Sequence, residues 1–353
     1  KPPGMFWVVA LYYKLFGMSD IVLKSVMLTL ILINAWLLYG CERLLQQVLN
    51  IRSMTVIAPV ILLSNPFYCH FALQLRYENF LMPCILLSFY GLLRWKILDS
   101  MLGLCLWTLG LGYGLLVKGP VILVFALPLL AMLKIPPKQK NILCLPVILA
   151  TIACLIPLMV WYFSVMLTYP KHVWLYLIHH PSDYIGWLHF HLNTVVNLMM
   201  HFLLWALLLT GSGAVSMKRL LKQHWFVLVL TQIPALLFFS IFMNFYASRF
   251  MLPAYPILSL ALAAGYFAYW ECDFTLKRWV PYLLALPLLL WLIFALQLIH
   301  MKHTNFEPFS IAAFILALMS IVSLVALAAN YRWRNNAFLL TTSTSCLLAV
   351  VVH

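Results

Sequence analysis

The chain has 353 residues, of which 65% are hydrophobic and only 8% are Asp, Glu, Lys or Arg. A mean hydropathy of +1.01 excludes a soluble globular protein, because soluble domains are about half apolar and about a quarter charged. The formal net charge is +14, but the basic residues do not form a continuous stripe that would indicate nucleic-acid binding. We interpret the positive charge as basic loops at an anionic membrane surface.

Apolar runs of about twenty residues recur along the whole chain, and each is long enough to cross the hydrocarbon core of a bilayer. Residues 5–17, rich in aromatic and apolar side chains, are typical of a short helix lying along the membrane surface. The predicted fold class is all-α, a polytopic transmembrane helical bundle that forms a single domain over residues 1–353. We predict about twelve spans, at 18–40, 54–72, 80–96, 100–117, 119–134, 142–167, 192–212, 225–245, 251–270, 280–299, 309–330 and 337–353.

The basic residues predict the orientation of these spans. Fourteen of the 22 Lys and Arg residues fall in six short loops, at 41–53, 94–99, 134–141, 217–224, 271–279 and 331–336. If the spans alternate strictly, all six loops lie on one face, and the excess of positive charge predicts that this face is cytoplasmic. We therefore expect a multi-pass protein of the cytoplasmic (inner) membrane, with the 168–191 loop on the outer face.

Neither cysteine nor histidine forms a recognisable metal site. The eight Cys residues are scattered singly, mostly inside apolar runs, which is typical of small apolar packing residues. Five His residues crowd the 168–191 loop, at His172, His179, His180, His189 and His191. They lack the helical i, i+4 pair with a carboxylate between that marks a zinc-binding helix, so we favour interfacial packing over a metal and expect no cofactor.

A sparse set of charges remains for the outer face, and such charges near a bilayer are candidates for a functional site. Lys1 comes first and is followed by two prolines, which fix an extended backbone at the start of the interfacial helix. Its ammonium could meet a lipid phosphate or could simply extend to the membrane surface. Arg76 and Glu78 follow in a short turn, and at a spacing of i, i+2 they could point to different partners or could form a simple interfacial charge pair.

Two further basic residues lie in very short outer turns. Lys118 precedes a Gly-Pro pair, so it must lie at or just below the membrane surface, either as a functional cation or as the anchor of a helix end. Arg249 stands before a helix that two prolines interrupt, and its planar guanidinium suits bidentate phosphate binding. From the residues alone, each has a structural alternative.

Together these motifs resemble a known family. The chain is similar to the lipid-linked-sugar glycosyltransferases of the GT-C fold, and most to the bacterial aminoarabinose transferases and the protein O-mannosyltransferase-like enzymes. Four segments carry the resemblance in family order, over residues 1 to about 270: KPPGMFWVVALYYKLFG, RYENFLMPCILLSFYGL, GLGYGLLVKGPVILVFALP and SRFMLPAYPILSLALA.

The resemblance implies a transferase that works outside the cytoplasmic membrane. It would take a sugar from a polyprenyl-phosphate donor and pass it, with inversion of the anomeric carbon, to an acceptor hydroxyl on lipid A, a glycan or a protein. Lys1 and Arg249 would bind the donor phosphate, with Lys118 and Arg76 as further phosphate-binding candidates. Glu78 would be the catalytic carboxylate in a loop where many members carry Asp.

Other interpretations remain open at this point. The family's first span, and a first outer loop with the acidic residue regarded as the general base, precede the KPP motif, so we expect the sequence to be truncated at its N-terminus. A transporter or flippase of lipid-linked anions is the main alternative function, although no internal repeat supports it. A catalytically inactive membrane scaffold is a third possibility.

Overall fold

In a computed structural model, the protein is described over residues 2–49, 57–63, 65, 68, 71–136, 139–142, 144–169, 224, 226–242 and 250–272. Within these ranges the chain is helical and no strand occurs. The helices are α1 (Gly4–Phe16), α2 (Asp20–Leu49), α3 (Ile57–Leu63), α4 (Tyr77–Leu98), α5 (Met101–Lys118), α6 (Val121–Ala126), α7 (Leu145–Ala153), α8 (Ile156–Thr168), α9 (Phe226–Leu230), α10 (Ile233–Phe242) and α11 (Tyr255–Cys272). Two 3-10 helices, Leu127–Lys134 and Leu252–Ala254, continue α6 and lead into α11.

Among the residues that the structure describes, four helical stretches are long and apolar enough to cross a membrane, namely α2, α4, α5 and the Leu145–Thr168 stretch that contains α7 and α8. They confirm the polytopic helical class and match four predicted spans to within several residues, except at the end of α2. The surface helix predicted at 5–17 is present as α1. The predicted spans at 192–212, 280–299, 309–330 and 337–353 lie outside the described residues, so the count of about twelve stays a prediction.

The end of α2 differs from the prediction. We predicted a loop at 41–53, but the helix continues to Leu49. Cys41, Leu45 and Val48 recur at helical spacing and are all buried, so an apolar face persists although the segment also carries charges. The polar side chain of Glu42 is accommodated because its carboxyl oxygens accept the backbone N–H groups at the start of α3, at 3.1 Å from Ile57 and 3.4 Å from Ala58.

The α4–α5 hairpin forms the centre of the bundle. Asp99 ends α4 in the left-handed region, at φ 53°, and its N–H bonds to the carbonyl of Trp95, so the chain reverses within two residues. The two helices then pack almost backbone to backbone: a Cβ on Gly91 would lie 2.5 Å from the carbonyl oxygen of Gly103. Such close approach is the usual packing mode of small residues between transmembrane helices. The hairpin therefore places the start of α4 and the end of α5 at the same end of the bundle.

Candidate active site

The turn before α4 is organised by Asn79. Its side-chain amide donates to three backbone carbonyls of the turn, at 2.7 Å from Phe71, 3.3 Å from Ala72 and 2.8 Å from Gln74. Asn79 is 2% exposed, and at a buried position the loss of one of these hydrogen bonds would destabilise the fold. The side chain thus fixes the turn that carries Arg76 against the first turn of α4.

Glu78 and Lys118 form an ion pair at this end of the hairpin. Lys118 Nζ lies 2.5 Å from Glu78 Oε1, and the two side chains are 17% and 7% exposed. Glu78 is in the first turn of α4 and Lys118 is the last residue of α5, so each charge is favoured by the dipole of its own helix. Gly119 ends α5 at φ 68° and its N–H bonds to the carbonyl of Leu115, which holds Lys118 at the helix terminus.

Arg76 takes a different direction from Glu78. Its Nε donates to Gln74 Oε1 at 2.7 Å, and its guanidinium lies 4.8 Å from the centre of the Phe71 ring. Among the described residues it forms no ion pair with Glu78. The structure therefore brings Glu78 and Lys118 together and leaves Arg76 half-buried on the surface of the turn.

The fourth sequence motif also contacts the Glu78–Lys118 pair, through Phe250. The ring of Phe250 lies 4.4 Å from Lys118 Nζ, a distance at which a cation is attracted to an aromatic face. The following 3-10 helix, Leu252–Ala254, packs against α4 and is fully buried. Arg249, which precedes Phe250 in the sequence, lies outside the described residues.

The first motif also lies at this end. The hydroxyl of Tyr113, on α5, donates to the backbone carbonyl of Gly4 at 2.7 Å. Phe6 packs edge-to-face on Tyr77, with ring centres 6.1 Å apart. The first turn of α1 therefore contacts both helices that carry the ion pair. Lys1 lies outside the described residues.

Sequence reasoning missed four features of this site. The Glu78–Lys118 pair was not predicted, since each residue was interpreted separately, and Asn79, Tyr113 and Phe250 were not singled out. Asn79 had a usable signal, because it is an uncharged polar residue at the start of an apolar span and follows a charged one. The other three depend on which helices meet.

A second charged cluster lies at the opposite end of the α4–α5 hairpin. Lys96 is 1% exposed and donates to the carbonyls of Leu133 and Ile135, at 3.2 and 2.5 Å. Lys140 donates to the carbonyl of Trp95 at 3.0 Å and pairs with Asp99. These lysines fasten the end of the 3-10 helix and the chain after it to α4.

No group of three or more His, Cys, Asp or Glu side chains is placed to hold a metal ion within the ranges that the structure describes. The five histidines of the 168–191 loop lie outside those ranges.

Comparison with solved structures defines the fold. The chain is similar to ArnT from Cupriavidus metallidurans in the apo state, with a TM-score of 0.67 and 17% sequence identity, and to the same enzyme bound to undecaprenyl phosphate, with a TM-score of 0.64 and 16% identity. Each match covers 99% of this chain and 64% of the ArnT chain, so this chain spans less than two thirds of the length of the solved protein. The protein is thus a multi-pass membrane protein with an ArnT-like GT-C fold.

The family model described as dolichyl-phosphate-mannose-protein mannosyltransferase matches residues 1–163. This segment contains the first three of the four motifs, together with Glu78 and Lys118. The match and the shared fold agree with the predicted resemblance to the aminoarabinose- and mannosyltransferase-like enzymes of the GT-C fold. No curated protein matches the chain by sequence.

Proposed function

We propose that this protein is a membrane glycosyltransferase that moves a sugar from a polyprenyl-phosphate donor to an acceptor hydroxyl. One observation carries the proposal: segments of all four family motifs, far apart in the sequence, meet at the end of the α4–α5 hairpin that carries the Glu78–Lys118 pair. The match to a mannosyltransferase family and the ArnT-like fold support the same reaction class.

The donor phosphate is proposed to bind at Lys118, with Lys1, Arg249 and Arg76 contributing further positive charge. A phosphate leaving group gains negative charge as the glycosidic bond breaks, and fixed cations in a site with little water stabilise that charge. Lys118 is suited to this because it is mostly buried and lies at a helix end. The solved ArnT complex with undecaprenyl phosphate supports a polyprenyl phosphate as the lipid partner.

Among the described residues, Glu78 is proposed as the carboxylate that accepts the proton of the acceptor hydroxyl, since a positioned carboxylate can act as a general base. The family resemblance gives this role to an acidic residue before the KPP motif, so the proposal for Glu78 goes beyond the resemblance. In the described structure its Oε1 accepts from Lys118. We infer that the donor phosphate takes over part of this interaction, so that Lys118 turns toward the phosphate and Glu78 becomes available to the acceptor. An acceptor would then be activated only where a donor is already bound.

The site is proposed to face the outside of the cytoplasmic membrane. The support is the distribution of basic residues: the Glu78–Lys118 end of the hairpin carries few of them, and the end with Lys96 and Lys140 belongs to the basic face. The acceptor is proposed to be a lipid, glycan or protein hydroxyl on that side.

The proposal is tested with Lys1→Ala and Arg249→Ala in the full-length protein, assayed for transfer of radiolabelled sugar from a polyprenyl phosphate in membranes. We expect both variants to insert normally and to lose donor-dependent transfer. Unchanged transfer in both would remove the phosphate assignment. Movement of the polyprenyl-linked sugar across vesicles without cleavage would instead identify a flippase.

A further inference from the structure

The first turn of α1 is attached to α5 by one long-range hydrogen bond. The hydroxyl of Tyr113 donates to the carbonyl of Gly4 at 2.7 Å, and the two residues are 109 positions apart in the sequence. Tyr113 is half-buried, so the bond is shielded from much of the surrounding solvent or lipid. It lies five residues before Lys118 on the same helix.

Gly4 itself fits only because it has no side chain. A Cβ at this position would lie 2.7 Å from the carbonyl oxygen of Leu116 and 3.0 Å from the backbone nitrogen of Val117. Real Cβ atoms essentially never approach a backbone oxygen so closely, so any larger residue would push α1 away from α5. The contact is therefore made backbone to backbone, against the last turn of the helix that ends at Lys118.

The neighbours of Gly4 strengthen the attachment. Pro2 and Met5 are buried, and Phe6 packs edge-to-face on Tyr77, which precedes Glu78. The turn is thus enclosed between the start of α4 and the end of α5. The two prolines at positions 2 and 3 remove backbone freedom between this turn and Lys1.

We propose that Tyr113 and Gly4 are positioning residues: they hold the first turn of α1 at a fixed place beside the Glu78–Lys118 pair, and the proposed phosphate binding by Lys1, which precedes this turn in the sequence, depends on that attachment. This inference rests on the proposed function for its consequence, but the attachment itself can be tested without any ligand. Neither residue is proposed to touch the substrate.

The ligand-free test uses Met5→Cys, because Met5 is 5% exposed on the attached turn. Modification of this cysteine by a small methanethiosulfonate reagent is followed by peptide mass spectrometry in the full-length protein. We expect Tyr113→Phe to raise its rate at least threefold, since only the hydroxyl is removed. The matched control is Tyr12→Phe, which removes the other hydroxyl bond of α1, to Thr29 Oγ1 at 3.0 Å, and should leave the rate unchanged.

The second test measures the dissociation constant for undecaprenyl phosphate in nanodiscs. We expect Tyr113→Phe to weaken binding about fivefold, the effect of one ordinary hydrogen bond, and Gly4→Ala at least as much. Tyr12→Phe and Gly112→Ala should stay within about twofold, because a Cβ on Gly112 meets its nearest atom at an ordinary 3.5 Å. In a Lys1→Ala background, Tyr113→Phe should cause little further loss of undecaprenyl phosphate binding. The reason is that Tyr113 is proposed to act only through the Lys1 ammonium, which that background already lacks.

The outcomes separate the two proposals. If cysteine modification and binding respond to Tyr113→Phe no more than to Tyr12→Phe, or if the losses from Tyr113→Phe and Lys1→Ala simply add, the positioning role is wrong. If modification rises as expected but the unaltered protein does not bind undecaprenyl phosphate, the attachment of α1 is confirmed and the proposed function is the part that fails.

Discussion

The two ends of the α4–α5 hairpin each pair a lysine with a carboxylate, but they use the lysine differently. At one end Lys140 pairs with Asp99, whose side chain is 65% exposed, and also donates to the carbonyl of Trp95, while Lys96 beside it donates to two further carbonyls. At the other end Lys118 donates to the buried carboxylate of Glu78 and lies over an aromatic ring.

This difference separates a structural role from a functional one. Backbone carbonyls move only together with the backbone that carries them, so the contacts of Lys96 and Lys140 attach the chain after the 3-10 helix to α4. A side-chain carboxylate can rotate, so the partner of Lys118 can be exchanged for another anion. Two buried charges that satisfy each other are weak support for stability, because removing both often leaves stability unchanged. We therefore propose that the Glu78–Lys118 end serves the reaction and the opposite end serves stability.

The largest expected effect comes from Glu78→Gln. The amide keeps the size of the side chain and can still accept a hydrogen bond from Lys118, but it cannot take a proton from an acceptor. Transfer should fall by about 10²–10⁴-fold, the usual contribution of a general base. Undecaprenyl phosphate binding should be retained or become tighter, because the neutral amide competes less with the phosphate for Lys118. Transfer kinetics and binding in the same membranes check this.

The matched control for that variant is Asp99→Asn, which alters the carboxylate at the opposite end and should leave transfer within about twofold, since the group is exposed. Equal losses of transfer in the two variants would show that the ends do not differ in the way described.

A smaller effect is expected on stability when the Glu78–Lys118 pair is broken on one side only. Lys118→Met should lower the free energy of unfolding by about 3–5 kcal/mol, because it leaves an uncompensated carboxylate that is 7% exposed. The double variant Lys118→Met/Glu78→Leu should recover most of this loss without recovering transfer. Unfolding in detergent provides the measurement, and a double variant no more stable than the single one would contradict the interpretation.

The smallest effect is expected from Lys96→Met. This change removes the Lys96 donor from the carbonyls of Leu133 and Ile135. The Leu133 carbonyl still accepts the backbone N–H of Lys140 at 2.9 Å, and an unmade buried hydrogen bond costs about 1–3 kcal/mol. The free energy of unfolding should fall accordingly, while undecaprenyl phosphate binding stays within about twofold of the unaltered protein. A large loss of binding at preserved stability would mean that this end also takes part in function.

The sequence predicted the helical class and the position of the charges better than their contacts. Apolar runs set the four long helical stretches, and strict alternation of spans already implied that Glu78 and Lys118 lie at the same end. Their pairing could not be predicted, because it depends on the close packing that glycines allow between α4 and α5. The attachment of α1 through Tyr113 is also a tertiary contact with no local signal.

The extension of α2 shows a different limit. Residues 41–53 include Glu and two Arg residues, and this charge density suggested a loop. The helical spacing of the buried residues and the capping role of Glu42 at α3 both depend on what packs against α2. The charged residues therefore predicted that α2 ends at residue 40, whereas the helix continues to Leu49.

The central claim, that the Glu78–Lys118 end binds the donor phosphate, is tested most directly by undecaprenyl phosphate binding to Lys118→Gln and Lys140→Gln. Both changes remove one ammonium from an ion pair and leave a side chain that can still donate a hydrogen bond. We predict that Lys118→Gln weakens binding about 10–100-fold, the effect of one charge-assisted hydrogen bond, and that Lys140→Gln stays within about twofold. Equal dissociation constants for the two variants would contradict the account.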